Sequence, residues 1–504
     1  MSIPFKKINK ILVANRGEIA LRVMRSAREL NIKTVAVFSE ADRNAPFVQY
    51  ADEAVLLGPA PSNQSYLLGN KIIAICKQLN ADAVHPGYGF LSENSAFAKK
   101  LEQNNITLIG PSASSMDAMG NKLAAKRTVK NHNIPMVPGT PDAIDDVEVA
   151  KKISADIGFP VLIKAAAGGG GKGMRVVENI ETFEQQMHLA INEAVSSFGD
   201  GAVFIEKYIA SPRHIEIQIL GDQHGNCVYL FERECSIQRR HQKLVEEAPS
   251  VLLTPEVRKA MGEAAVRVAQ SCHYFGAGTV EFLADNDLNF YFLEMNTRLQ
   301  VEHCVSELIT GIDLVKEQIK VAQGEPLSFR QEELEIRGHA IELRVCAEDP
   351  ANNFLPDIGT LSLYKRPQGI GIRVDDGFEE GMSIPIYYDS MIGKLIAYGQ
   401  NRQEAIGRMI RAIDEYQIIG VANTLEFGKF VMQHPKFISG NFDTKFIDLY
   451  FDPKHLIEED QADELNIAAA VAAHLFEKWQ AKPIIPKTEQ NPSRQSAWRT
   501  NRLK

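Results

Sequence analysis

Short apolar runs and amphipathic segments alternate through the first hundred residues, and this alternation does most to limit what the chain can fold into. KILVA precedes GEIALRVMRSARELN, in which Ile19, Val23, Ala27 and Leu30 recur at helical spacing. KTVAVFS, NKIIAICKQLN, ADAVHP, NSAFAKKLEQN and ITLIG continue the pattern. Strands alternating with helices predict a parallel sheet covered on both faces. Functional residues of such sheets gather at the carboxyl ends of strands. NRGE (15–18) and HPGYGFLSEN (85–94) fall at such ends.

The pattern changes after GPSASSMDAMGNKLAAK. Residues about 141–207 read as a small insert centred on PVLIKAAAGGGGKGMRVV. This glycine run is not a Walker A loop, because Ala166 and Gly173 occupy the outer positions around Gly171 and Lys172. Gly168, Gly170 and Gly173 satisfy G-x-G-x-x-G, but a dinucleotide turn must open a helix. MRVVEN follows instead, with Val176 and Val177, and predicts a second strand. The expectation is a glycine-tipped hairpin that covers a nucleotide.

Residues 213–300 are strand-rich and predict an antiparallel α+β core. A third unit runs from about 335 to 447, with GHAIELRVCAEDP and SMIGKLIAYG as strands and RQEAIGRMIRAIDEY as a helix. Beyond 453, QADELNIAAAVAAHLFEKWQ can form one helix, and the polar tail after it reads as loosely ordered or as a docking strand.

Composition narrows the function classes. A hydrophobic share of 45% with 24% charged residues suits large buried cores. A net charge of −9 argues against a broad nucleic-acid footprint. Cys76, Cys227, Cys235, Cys272, Cys304 and Cys346 form no C-x-x-C pair, so neither a zinc site nor a disulfide framework is expected. The strand pattern begins too early for a signal peptide, and no apolar run is long enough to span a membrane. A soluble, cytoplasmic protein is expected.

Three clusters carry chemistry. In GAGTVEFLADNDLNFYFLEMNTRLQVEH a hairpin can bring Glu281 and Glu294 onto one face, with Asn296 beside them. Oxygen ligands of this kind suit a hard cation such as magnesium. Arg298, Gln300 and Glu302 follow, alternating with Thr297, Leu299 and Val301 as on a strand. They could hold a small oxyanion and remove its proton, or form a structural Arg–Glu pair. In ERECSIQRRHQKLVEEAP, Arg239, Arg240, His241 and Lys243 concentrate positive charge. With Lys122, Lys164 and Lys172 they could neutralise a triphosphate. Cys235 lacks an activating partner and is expected to be a small buried residue. Arg344, alternating with apolar neighbours, is either a buried salt bridge or a substrate contact.

Together these stretches resemble the ATP-grasp superfamily, and within it the biotin carboxylase component of the biotin-dependent carboxylases. The matching segments run in the family order through residues 5 to 447, and include ILVANRGEIA, EKYIASPRHIEIQ, RGHAIELRVCAEDP and YYDSMIGKL. The resemblance implies a Rossmann-like N-terminal domain (1–120), an ATP-grasp domain with a glycine-rich lid (121–334, lid about 141–207), a C-terminal α+β domain (335–447) and a helical extension with tail (448–504).

It also implies roles. Lys122, Lys164 and Gly168, Gly169, Gly170, Gly171 and Gly173 would hold ATP phosphates. Glu206, His214, Gln238 and His241 would surround the adenine and ribose. Glu281, Glu294 and Asn296 would bind magnesium or manganese. Arg298, Gln300, the Val301 backbone and Lys243 would bind bicarbonate, with Glu302 as its base. Arg344 would stabilise the biotin enolate, and Tyr88 would lie beside the biotin ring.

The chain departs from the family at Cys304, where proline usually follows Q-V-E-H, and at Ser306, usually threonine. No AMKM-type biotinylation site occurs. A separate carrier protein and carboxyltransferase are therefore expected, the 448–504 extension with Trp479 and Trp498 being a candidate contact, and the resemblance further implies a homodimer. The final acceptor would be an acyl-CoA or pyruvate. The alternatives are another ATP-grasp ligase that joins a carboxylate to an amine, and a non-catalytic nucleotide-binding subunit.

Overall fold

The computed structural model describes residues 3–120, 122–130, 132–140, 142–144, 146–165, 173–456 and 461–480. The chain divides into two compact units, 1–453 and 454–504.

The first unit opens with the expected parallel sheet. Strands β1 (Lys10–Val13), β2 (Lys33–Ser39), β3 (Glu53–Gly58), β4 (Ala83–His85) and β5 (Thr107–Leu108) lie in the order β3-β2-β1-β4-β5. β1 and β4 are neighbours, so their carboxyl ends open side by side. Asn15 ties the two loops together, its amide donating to the Pro86 and Tyr88 carbonyls at 2.7 Å each. Gly87, at φ +61°, lies so close to Asn15 that a Cβ would stand 2.9 Å from the amide nitrogen.

The insert forms a three-stranded antiparallel sheet of β6 (Val161–Ala165), β7 (Met174–Val177) and β8 (Val203–Lys207), in the order β7-β6-β8. Helices Val147–Ile157 and Phe183–Phe198 pack on it. β6 and β7 are the two strands expected on either side of the glycine run. Gly168, Gly169, Gly170, Gly171 and Lys172 themselves lie outside the described residues.

An eight-stranded antiparallel sheet carries the rest. β9 (Arg213–Gly221), β10 (Cys227–Arg239), β11 (Gln242–Ala248), β12 (Gly276–Ala284), β13 (Phe290–Asn296) and β14 (His339–Cys346) are joined by strands Met391–Gly399 and Ile372–Asp376. The order is β13-β12-β9-β10-β11-β14, followed by 391–399 and 372–376. Hydrogen bonding is thus continuous from β11 to β14 although the sequence pattern changes character near residue 335. Ile215, Ile217 and Ile219 of β9 are buried with Val280 and Phe282 against Met261 of helix Pro255–Ser271. The alternate residues His214, Glu216 and Gln218 face the other side, because side chains on a strand alternate.

In the second unit, Gln461–Gln480 forms the helix its sequence predicts. Ile467, Val471 and Leu475, spaced four apart, are exposed on it. No helix among the described residues is long and apolar enough to cross a membrane.

Candidate active site

Cross-strand register assembles a row of charge. Arg233 of β10 pairs with Glu216 of β9, Glu216 with Glu281 of β12, and Glu281 with Glu294 of β13. Neighbouring carboxylates repel, so the row needs cations. Arg233, fully buried, donates to Glu216 at 2.5 Å and also to Gln218, Thr279 and Ser306. Lys243 enters from the start of β11, where it is the register partner of Gln238. Between them Arg240 (φ +49°) and His241 (φ +67°) form a two-residue turn with both residues left-handed, the geometry that matches strand twist in a hairpin.

Lys243 Nζ reaches Glu216 at 2.5 Å, Glu302 at 2.8 Å and Glu281 at 3.1 Å. His214 holds the other oxygen of Glu281 at 3.0 Å, and its second ring nitrogen meets the Gln238 amide at 3.3 Å. Burial disfavours the Lys243 charge, yet the three carboxylates outweigh it and hold the ammonium well above its ordinary pKa. Burial would raise Glu302 as well, but Lys243, Arg344 and Arg233 hold it well below the usual carboxylate range. Burial likewise works against ionised Glu281, and Lys243 with His214 keep it low. Lys243, Glu302 and Glu281 are thus held ionised together.

Arg344 settles the choice its sequence left open, because it is both ion-paired and on the cleft wall. Its guanidinium donates to Glu246 at 2.6 Å and to Glu302 at 3.0 Å, and it lines the main cleft. Residues 297–302 are not the strand their alternation suggests. β13 ends at Asn296, a loop and turn follow, and Glu302 precedes the helix His303–Thr310. Arg298 therefore does not pair with Glu302; it donates to Glu93 at 2.9 Å, Gln300 at 3.1 Å and Asn296 at 3.1 Å. Glu93 comes from the HPGYGFLSEN loop and also accepts from the Thr297 amide.

The cleft is about 1260 Å³. Tyr88, Lys164, Glu206, His214, Gln238 and His241 line it, as do Lys243, Glu281, Glu294, Asn296, Arg298, Gln300 and Val301. Glu302 is wholly buried behind that wall, reached through Lys243 and Arg344. At the lid end, Glu206 receives both Lys126 and Lys164. Gly173, at φ +70°, leaves only 2.7 Å between a would-be Cβ and that of Ala165. Lys122 opens the helix Lys122–Val129, and its side chain lies outside the described residues. Cys235 is buried and its thiol is pushed well up by that burial, as expected of an inert cysteine.

Comparison with known proteins identifies this arrangement. "Biotin carboxylase, N-terminal domain" matches residues 7–116, "Carbamoyl-phosphate synthase L chain, ATP binding domain" matches 121–330, and "Biotin carboxylase C-terminal domain" matches 342–449. Biotin carboxylase 1 of Bacillus subtilis is 52% identical over 88% of this chain and 99% of its own length. This chain belongs to the biotin carboxylase family. Its activity is the ATP-dependent carboxylation of biotin.

A pyruvate carboxylase subunit of Methanothermobacter thermautotrophicus is likewise 52% identical, over 90% of this chain and 93% of that one. Among solved structures, the biotin carboxylase–β,γ-ATP complex of Campylobacter jejuni is 47% identical, with a TM-score of 0.83 over 88% of this chain and 99% of that chain. The biotin carboxylase domain dimer of Hydrogenobacter thermophilus 2-oxoglutarate carboxylase, solved with MgADP, ADP and bicarbonate, is 46% identical. Its TM-score is 0.84 over 90% of this chain and all of that chain.

The departures from the biotin carboxylase pattern have local explanations. Cys304 lies in the first turn of its helix, where proline is also tolerated. Its thiol is buried, 3.4 Å from Asp375. Ser306 keeps the hydroxyl a threonine would supply, accepting from Arg233 at 2.9 Å. His303, Cys304 and Glu307 converge within 4.8 Å, but Glu307 already faces Arg22 at 2.7 Å and Arg373 at 2.8 Å, so they are no convincing cation site. Glu281 and Glu294, hard oxygen donors paired in register with Glu281 kept ionised, do fit magnesium or manganese.

Sequence reasoning missed Glu216, Arg233, Glu93, Lys126 and Glu246. The first had a usable signal: a carboxylate set among the alternating isoleucines of RHIEIQIL.

Proposed function

We propose that Glu302 is the base that deprotonates bicarbonate, with Arg298, Gln300, the Val301 backbone and Lys243 holding the anion. The observation that carries this reading is the contact of Glu302 with Lys243 on one oxygen and Arg344 on the other. A carboxylate held this low is a weak base. The same cations, however, lower the proton affinity of a bicarbonate placed among them, which makes transfer feasible.

The bicarbonate oxygen then attacks the γ-phosphorus of ATP, the bond to the bridging oxygen breaks, and ADP leaves with carboxyphosphate formed. Loss of carbon dioxide from carboxyphosphate releases phosphate, which takes the N1′ proton of biotin. N1′ attacks carbon dioxide while Arg344 stabilises the enolate, and Tyr88 lies beside the biotin ring. Lys122, Lys164 and the glycines 168–171 with Gly173 would hold the ATP phosphates, and Glu206, His214, Gln238 and His241 the nucleoside. Glu281 and Glu294, with Asn296, would bind magnesium or manganese, which when bound supplies charge neutralisation at the phosphates.

The domain boundaries at 120, 334 and 447 belong to the same reading. So do a homodimer, a separate biotin carrier and a carboxyltransferase that passes the carboxyl group to an acyl-CoA or pyruvate. The naming of the Methanothermobacter relative as one subunit of its enzyme and the dimer of the Hydrogenobacter domain support this. The extension 448–504 is the proposed contact for those partners.

The test is incorporation of labelled bicarbonate into free biotin by the purified chain with magnesium and ATP. Labelled carboxybiotin is expected; ATP hydrolysis that ignores both bicarbonate and biotin would overturn the reading.

A further inference from the structure

Lys394 sits in the middle of strand Met391–Gly399 with its side chain wholly buried. A buried ammonium must find partners, and the two that Lys394 contacts directly lead to the site. Its Nζ donates to the Val301 carbonyl at 2.8 Å and lies 3.2 Å from Glu18 Oε1. The same Glu18 oxygen accepts from the Tyr88 hydroxyl. Lys394 is also the register partner of Arg344, so two cations project side by side from adjacent strands. Such a pair repels. Each has a different target on one short segment: Lys394 takes the Val301 carbonyl, and Arg344 takes the Glu302 carboxylate. Glu18 and Asp375 face Lys394 and offset its burial, which keeps it charged.

We propose that Lys394 is a positioning residue for both half-reactions. It fixes the Val301–Glu302 peptide on the bicarbonate side and, through Glu18, the Tyr88 hydroxyl on the biotin side. This rests on the reading that Val301 and Glu302 meet bicarbonate and Tyr88 meets biotin. One buried ion pair then ties the geometry of the two substrate positions together, because Lys394 and Glu18 join the Val301 carbonyl to the Tyr88 hydroxyl.

The test uses the full chain with Lys394→Met, and with Glu18→Gln as a milder change that preserves volume and leaves Lys394 in place. Bicarbonate-dependent ATP hydrolysis is measured with and without free biotin, alongside thermal unfolding and ATP affinity. Lys394→Met is expected to raise the bicarbonate KM roughly tenfold or more and to lower kcat, with ATP affinity unchanged. Glu18→Gln should raise the KM for both biotin and bicarbonate, and its effect should be non-additive with Tyr88→Phe. Variants that lose thermal stability yet keep wild-type KM values for bicarbonate and biotin would overturn the proposal. Wild-type hydrolysis with no bicarbonate dependence would instead overturn the reading of the site, and this inference with it.

Discussion

Glu302 meets Lys243 at 2.8 Å in a pocket where the carboxylate has no exposed side-chain area. Arg344 occupies its second oxygen at 3.0 Å. Both cations also line the cleft.

Removing Lys243 should therefore act on the base as well as on binding. Lys243→Met takes away the first of the cations that hold Glu302 low, so the Glu302 pKa rises. Because only the ionised carboxylate can accept a proton, the acid limb of the pH–rate profile moves to higher pH. The expected loss in kcat/KM for bicarbonate is roughly 100-fold or more. A pH series on wild type and variant reads both effects; an unmoved acid limb would separate Lys243 from Glu302.

Arg344→Gln should divide the two half-reactions. Glu302 keeps Lys243 and stays ionised, so phosphate release dependent on bicarbonate persists at a reduced rate. Carboxylation of biotin, which needs a cation at the enolate, should fall by about 100-fold or more. Parallel assays of phosphate release and labelled carboxybiotin decide this, and equal losses in both would refute the assigned role.

Gly173→Ala tests the lid. A left-handed backbone costs a Cβ-bearing residue about 1–2 kcal/mol, and the added methyl meets the Ala165 Cβ at 2.7 Å. The KM for ATP should rise while that for bicarbonate holds. Steady-state kinetics with each substrate varied in turn checks it.

The parallel sheet, the hairpin that pairs Glu281 with Glu294, and inert Cys235 were all legible from local pattern. Periodicity reports the state of a segment and which side chains share a face. It does not report what lies across the sheet. Glu216, Arg233, Glu93 and Lys394 gain their meaning from partners 15 to 376 residues away, so the chain around them gives no warning. Residues 297–302 misled for a related reason. Their alternation of polar and apolar side chains comes from a loop that buries Thr297, Leu299, Gln300 and Glu302 alike, not from a strand.

Acid stability offers a prediction away from the chemistry. Glu247 of β11 meets His339 of β14 at 2.7 Å and Arg402 at 2.7 Å. Burial would raise its carboxyl, but these partners lower it from 4.5 to about 2. A depressed carboxylate stabilises the fold fully above its unfolded pKa and loses that contribution as pH falls through the folded value. The contribution, roughly 3 kcal/mol, should be present above pH 4.5 and vanish toward pH 2. Glu247→Gln should unfold at lower temperature near neutral pH and show a flatter dependence of Tm on pH in that window. A slope equal to that of wild type would refute the assignment.

The most direct test of the whole account is Glu302→Gln, assayed for bicarbonate-dependent phosphate release alongside ATP binding to the same preparation. The substitution keeps the shape of the side chain and removes its capacity to take a proton. The account predicts that ATP binds with nearly wild-type affinity while bicarbonate-dependent release falls by roughly 100-fold or more. Wild-type turnover in this variant would contradict the assignment of Glu302 as the base.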